Sequence, residues 1–345
     1  MRNSGLYETA LALVADAKGI LAADETVSTV TTRLAAQKIE STADSRRAYR
    51  EMFFATPGID EYISGVILQD ETIHQVDSTG TPMAELLSHQ GIIPGIKVDQ
   101  GVQPLAGSPD ETVTEGLDGL RQRLEEYRRL GARFAKWRAV IATDDTHPSH
   151  TCVLVNAHAL ARYAAICQEQ DLVPIVEPEV LMDGSHDIEQ CEGVTSVVLH
   201  AVFDALFEQH VALEGTLLKP NMVVPGTRSA AQVSSSDIAA ATLRALNRHA
   251  PAAVPGIVFL SGGLDPVAAT RHLNAINQLA LSRPWKLTYS FGRALQEEAL
   301  RAWQGKKTNV DAGQRAFRHR ASCASAAAAG RYVSAMEETL ADARH

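Results

Sequence analysis

The sequence holds no run of about 18 consecutive apolar residues, the length a membrane-spanning helix needs, so no membrane span is expected. Met1 to Glu8 has no apolar core ahead of a cleavage site, so no signal peptide is expected either. Basic residues are outnumbered, 32 Lys and Arg against 41 Asp and Glu, which leaves a net charge of −9. That balance, with a pI near 5.7, argues against general nucleic-acid binding, where a basic face is wanted. The four cysteines, Cys152, Cys167, Cys191 and Cys323, are widely spaced and form no C-x-x-C pair. Their spacing gives no zinc cluster and suits reduced thiols in a cytosol. His147 and His150 are three apart but have no strand-end histidine or carboxylate trio beside them, and His74, His89 and His186 are isolated. No metal is required by that set, and these last three are expected at the surface or behind a site. No G-x-G-x-x-G opens a helix after the first strand, which weakens a dinucleotide-binding reading.

What is present is a large apolar fraction, 45% of 345 residues, with 21% charged. This composition fits a globular chain with a sizeable core. Eight short β-like segments recur: Gly19–Asp24, Gly65–Gln69, Ile92–Val98, Ala132–Arg138, Leu172–Pro178, Thr216–Met222, Gly256–Gly263 and Leu287–Gly292. Several are almost wholly apolar, as strands buried on both faces of a parallel sheet are. Each is followed by a stretch able to hold a helix, with amphipathic spacing such as Gly116, Leu120, Leu124 and Tyr127. Asp110 or Thr112 is the expected cap of that helix, with Glu115 reaching back to Thr112. Eight repeats of strand and helix predict an α/β fold, a (β/α)8 barrel, in one domain over residues 1–345. The cluster from Pro104 to Pro109 is expected as a short loop within the alternation. Residues 321–345 are expected as a C-terminal helix and tail outside the barrel, Ala-rich at first and then acidic.

In such barrels the reactive groups stand at the C-terminal ends of the strands. Here the first segment ends in Asp24, the third offers Lys97, the fourth Lys136 and Arg138, and the fifth Glu177 and Glu179. The sixth ends in Lys219, where Pro220 stops the ladder. Lys136 and Arg138 are two apart, as are Glu177 and Glu179, so each pair faces one side of its strand. Charges pointing into a barrel are rarely left unpaired. An ammonium at the mouth of an apolar strand is partly desolvated, which disfavours its charged form, and a neighbouring Lys136 adds repulsion. A neutral amine is a nucleophile able to form a Schiff base with a carbonyl. Glu177 then supplies the acid and base function that carbinolamine dehydration needs. Ser261, Gly262 and Gly263 end the seventh segment, and Ser290, Gly292 and Arg293 the eighth. A Gly-Gly turn with a guanidinium beside it fits a phosphate. Arg33 and Lys97 form a second basic set, which points to a substrate with two phosphates.

The segments that carry these residues follow one another as in a known family. They are Gly19–Glu25, Gly95–Asp99, Phe134–Arg138, Val176–Glu179, Leu213–Met222, Leu260–Gly263, Leu273–Asn277 and Gly292–Leu295. The chain resembles the class I, Schiff-base fructose-1,6-bisphosphate aldolases from about residue 15 to residue 320. The resemblance implies a metal-independent, cofactor-free lyase of glycolysis and gluconeogenesis, cytoplasmic and tetrameric, that acts on a phosphorylated sugar. It implies Lys219 as the Schiff-base lysine, Glu177 as the acid and base of imine formation, and Asp24 as the base for the C4 hydroxyl. Lys136 and Glu179 tune and orient the lysine. Ser261, Gly262, Gly263, Ser290, Gly292 and Arg293 hold the C1 phosphate, and Arg33 and Lys97, with Arg138 nearby, the C6 phosphate. The family usually reads Ser-Thr-Gly-Ser after the Asp-Glu pair, where this chain has Thr26, Val27, Ser28 and Thr29, and Thr32 stands where the family has a lysine. Many members end in a tyrosine that assists proton transfer, whereas this chain ends in His345 and its last tyrosine is Tyr332. The altered loop keeps a second substrate open, sedoheptulose 1,7-bisphosphate or fructose 1-phosphate. A barrel that binds without turnover is the alternative of another class.

Overall fold

A computed structural model describes residues 4–279 and 283–338. Ten strands are present among the described residues: β1 (Gly19–Ala22), β2 (Ile63–Leu68), β3 (Ile93–Lys97), β4 (Val102–Leu105), β5 (Ser108–Thr114), β6 (Phe134–Ile141), β7 (Val173–Val180), β8 (Leu217–Leu218), β9 (Gly256–Phe259) and β10 (Lys286–Phe291). Eight of them close into a barrel in the order β1-β10-β9-β8-β7-β6-β3-β2. Each neighbouring pair runs parallel, as helical crossovers on the outside require. These are the eight segments expected from the sequence, and β2, β7 and β9 are buried along their whole length. Two-sided burial is why they read as apolar runs rather than alternating ones.

Two apolar clusters divide the core. The inner one fills the barrel with Ile20, Ile67, Phe134, Val173, Ile175, Leu217 and Val258, and is closed from below by Leu6, Ala10 and Leu13. Those last three lie on the helix Ser4–Leu13, whose apolar face plugs the N-terminal end. Phe134 is fully buried, a burial worth about 1.5–3 kcal/mol. Its ring leaves room for no side chain on the next strand: a Cβ on Gly95 would lie 2.3 Å from Phe134 Cζ. The outer cluster packs the strands against the surrounding helices.

Between β3 and β6 the chain departs from the sequence reading. Asp110 and Thr112 do not cap a helix, and Pro104 to Pro109 is not a simple loop. β4 and β5 form an antiparallel hairpin that turns at Gly107, at φ +82°. Thr112 Oγ1 donates to Val140 O at 3.2 Å and Thr114 Oγ1 to Arg138 O at 2.8 Å. These bonds fasten the hairpin to β6, and the β-branched threonines suit an extended chain. The following helix starts at Leu120, after a left-handed Gly119 and with no side-chain cap. Leu120, Leu124 and Tyr127 are its buried face, as the spacing predicts.

The C-terminal helix is Val310–Ala328, so it begins before the Ala-rich stretch. Beyond it the described chain has only the single 3-10 turn Ser334–Glu337, not a longer helix. Tyr332 OH donates to Glu337 Oε1 at 2.7 Å, and Glu337 pairs with the buried Arg320 of that helix. His319 and Cys323 bring donor atoms within 4.8 Å of the same carboxylate. With Arg320 already on Glu337, that group fastens the chain after the last helix. Thr339 to His345, which include the His345 that stands where many members of the resembled family end in a tyrosine, lie outside the described residues. No helix among the described residues is long and apolar enough to cross a membrane.

Candidate active site

The C-terminal ends of the strands meet in a cavity of about 350 Å³. It is lined by Asp24, Arg33, Lys97, Lys136, Arg138, Glu177, Glu179, Lys219, Ser261, Gly262, Ser290, Gly292 and Arg293, with Glu25, Thr26, Thr29 and Leu260. Every residue expected at the site is there except Gly263, which lies just outside the rim. Six cationic side chains face four carboxylates in this cavity, a local positive excess in a chain of net charge −9. A cleft of that sign raises the local concentration of an anionic ligand.

Lys219 follows β8, and its backbone N–H still bonds Val176 O at 2.8 Å. Beyond it the chain is pinned by Asn221, whose Oδ1 accepts from Val180 N at 3.1 Å and whose Nδ2 donates to Thr195 Oγ1 at 3.2 Å. The lysine is 3% exposed, and its Nζ lies 3.1 Å from Glu177 Oε1. Glu177 Oε2 lies 3.2 Å from Lys136 Nζ, which is itself 2.7 Å from Asp24 Oδ2. The buried Lys219, Glu177 and Lys136 and the partly buried Asp24 thus alternate base and acid across the barrel mouth. Neighbouring β6 and β7 carry Lys136 and Glu177, with Arg138 opposite Glu177 in register, while Lys219 follows β8 and Asp24 follows β1.

The charge states follow from that geometry. Burial pushes the Asp24 carboxyl up, but Lys136 and then Lys219 outweigh it and hold the group well below the usual carboxylate range. Burial likewise opposes ionisation of Glu177, and Lys136, Lys219 and Arg138 hold it below its ordinary value. For Lys136 burial acts downward, and Asp24 and Glu177 overcome it to keep the ammonium charged. At neutral pH the array therefore holds two carboxylates and a fixed cation around Lys219.

Asp24 is held from behind by a residue the sequence reading missed. Arg50 is fully buried and donates to Ala23 O at 3.3 Å and Glu25 O at 2.9 Å, one on each side of Asp24. Asp99 is another omission: its Oδ1 is 2.6 Å from Lys97 Nζ, and its Oδ2 accepts from Arg138 N at 3.3 Å. Its signal was its place two residues after Lys97. Arg33 is engaged too, with Glu25 and with Gln296 Oε1 at 2.7 Å. Arg138 pairs with Glu179.

The remaining groups suit an anion on the β9 and β10 side. Gly262 has φ +59°, the left-handed turn that glycine permits. Arg293 Nη2 donates to Gly262 O at 3.4 Å. Ser290 is 1% exposed, and its Oγ has no hydrogen-bond partner among the described residues. The helix Arg293–Trp303 starts one residue past β10, so its N-terminus opens on the same spot and adds N–H groups and a favourable dipole. The Gly263 N–H is taken by Met182 Sδ at 3.2 Å. On the opposite side, Thr26 caps the helix Val27–Ala36, and its Oγ1 is 3.0 Å from that of Thr29. Thr26 and Thr29, the hydroxyl residues at the two ends of the altered loop, both line the cavity. Of the histidines, His74 and His89 are exposed, but His186 is 4% exposed and buried. His147 pairs with Asp144 at 2.8 Å, away from the cavity.

The chain matches the family model for class-I fructose-bisphosphate aldolase over residues 5–345. It is 54% identical over 328 residues to a probable fructose-bisphosphate aldolase class 1 of Xanthomonas axonopodis pv. citri (strain 306), covering 95% of this chain and 98% of that one. It is 55% identical over 315 residues to the cytosolic fructose-bisphosphate aldolase 6 of Arabidopsis thaliana, covering 91% and 88%. A solved structure of fructose-bisphosphate aldolase from Plasmodium falciparum superposes with a TM-score of 0.95 at 47% identity, covering 96% of each chain.

Proposed function

The chain belongs to the class-I fructose-bisphosphate aldolase family, and from that premise we propose which side chains perform its chemistry. The reaction is the reversible cleavage of fructose 1,6-bisphosphate into dihydroxyacetone phosphate and glyceraldehyde 3-phosphate through a lysine Schiff base. Lys219 is the nucleophile. Its buried Nζ, 3.1 Å from Glu177 Oε1, is the observation that carries this assignment. Attack on the C2 carbonyl gives a carbinolamine, and Glu177 gives and takes the protons that turn it into the iminium. Asp24, kept ionised by Lys136, takes the proton of the C4 hydroxyl as the C3–C4 bond breaks. The electron pair of that bond passes to the iminium, so a neutral enamine replaces a carbanion. Lys136 stays charged and joins Asp24 to Glu177, which gives the two proton-handling groups a shared cation. Glu179 holds Arg138 at the rim.

In this reading the C1 phosphate lies against Ser261, Gly262, Gly263, Ser290, Gly292 and Arg293. Its support is the orphan Ser290 hydroxyl and the helix N-terminus at Arg293. The C6 phosphate lies toward Lys97, Arg33, Thr26 and Thr29, with Arg138 nearby. The whole chain is taken as one barrel domain, working as a tetramer in the cytosol. The separated thiols and the cytosolic Arabidopsis relative support that compartment. The two-site reading has a direct test. Arg293→Ala weakens both fructose 1,6-bisphosphate and fructose 1-phosphate, since both carry the C1 phosphate. Lys97→Ala hurts the bisphosphate far more, because only it has the C6 phosphate. Equal losses on both substrates in Lys97→Ala contradict the assignment.

A further inference from the structure

The sulfur atoms of this chain are unevenly protected. All four cysteines are buried, and so are Met52, Met83 and Met222. Met182 and Met336 are the partly exposed methionines among the described residues. Met182 follows β7 and lies beside the turn after β9. Its Sδ accepts the Gly263 N–H at 3.2 Å. A Cβ on Gly263 would lie 3.3 Å from that sulfur and 3.4 Å from Arg293 Nη2. The thioether and the guanidinium therefore flank the same glycine, at the edge of the cavity.

We propose that Met182 is an oxidation site that controls access of a phosphate group to the Gly262–Gly263 turn and Arg293. This rests on the reading of that turn as the C1 phosphate site. A thioether sulfur is a weak acceptor, so an arriving phosphate can take the Gly263 N–H from it. A sulfoxide oxygen is a strong, polar acceptor. It holds the N–H and sits beside Arg293, so it competes with phosphate for both donors. Hydrogen peroxide supplies the change: its O–O bond breaks, one oxygen bonds to sulfur, and the other leaves as water. Sulfur loses two electrons and peroxide gains them. Methionine sulfoxide reductase returns the thioether while a dithiol becomes a disulfide.

The test treats the whole enzyme with hydrogen peroxide, maps methionine sulfoxide by peptide mass, and measures kcat and KM before and after. Expected is one added oxygen on the Met182 peptide, with Met52, Met83 and Met222 unmodified. KM for fructose 1,6-bisphosphate and for fructose 1-phosphate rises about tenfold, the size of losing one hydrogen bond to a charged group, while kcat holds. Reductase with dithiothreitol restores KM. Met182→Leu, compared with itself before and after peroxide, shows no rise, even where Met336 is oxidised. Absence of oxygen at Met182, an unchanged KM in the sulfoxide form, or the same rise in Met182→Leu each overturn the proposal. Arg293→Ala separates it from the reading beneath. If that variant raises KM and Met182 oxidation does not, the phosphate site stands and the control by Met182 falls. If Arg293→Ala leaves KM unchanged, the site reading falls and takes the proposal with it.

Discussion

Replacing Lys136 by methionine removes the cation that joins the buried Glu177 to the partly buried Asp24 while keeping a similar volume. The ammonium lies 2.7 Å from Asp24 Oδ2 and 3.2 Å from Glu177 Oε2, and the residue is 3% exposed. Breaking a buried pair by deleting one partner costs about 3–5 kcal/mol, because the other charge is left without compensation. That is a large part of a folding stability of about 5–15 kcal/mol. The loss depends on pH. Burial pushes the Asp24 carboxyl up, and Lys136 is the foremost group holding it down. A folded value below the unfolded one of about 3.9 contributes stability above that pH and loses it as pH falls through the folded value. Without Lys136, only Lys219 and Lys97 are left to oppose burial, and the folded value rises. The stabilising contribution then shrinks, and it is lost at a higher pH as pH falls. The gap between the two proteins therefore grows with rising pH and is at least as large at about pH 7 as at about pH 4. Urea unfolding at both pH values reads it. The acid limb of kcat/KM moves to higher pH in the variant, since Asp24 must be ionised to accept the C4 proton. Adding Asp24→Asn to the variant regains part of the stability, a coupling of about 0.5–3 kcal/mol. A loss under about 1 kcal/mol, equal at both pH values and with an unmoved acid limb, refutes the reasoning.

Gly95→Ala places a methyl group 2.3 Å from the ring of Phe134. Overpacking of this kind costs about 1–3 kcal/mol, and Phe134→Leu in the same chain recovers part of it. Urea unfolding at the wild-type midpoint contradicts the close approach of these strands. Chelation leaves cleavage unchanged, because the iminium carbon accepts the electron pair of the C3–C4 bond. Activity lost in EDTA and regained with Zn²⁺ would contradict that mechanism.

The barrel was readable because a strand buried on both faces leaves an apolar run, and proline or glycine marks its end. Lys136 with Arg138, and Glu177 with Glu179, were readable as inward pairs because strand side chains repeat every two residues. The hairpin of β4 and β5 escaped because Asp110 and Thr112 read as helix caps, and the bonds of Thr112 and Thr114 to β6 depend on tertiary placement. Arg50 escaped for a similar reason. In sequence it is one cation on a polar helix, and only the fold sets it behind Asp24. The bond between Arg33 and Gln296 spans 263 positions, a separation no local pattern reveals. Gly263 was read as part of a turn that fits a phosphate, and the sulfur that takes its N–H comes from the loop after β7.

The central claim is that one buried amine, Lys219, carries the covalent step. Borohydride reduction in the presence of dihydroxyacetone phosphate, followed by peptide mapping, tests it most directly. The account predicts one stable adduct, on the peptide holding Lys219, and none in a folded but inactive Lys219→Ala. An adduct on Lys136 or Lys97, or turnover retained in Lys219→Ala, contradicts it.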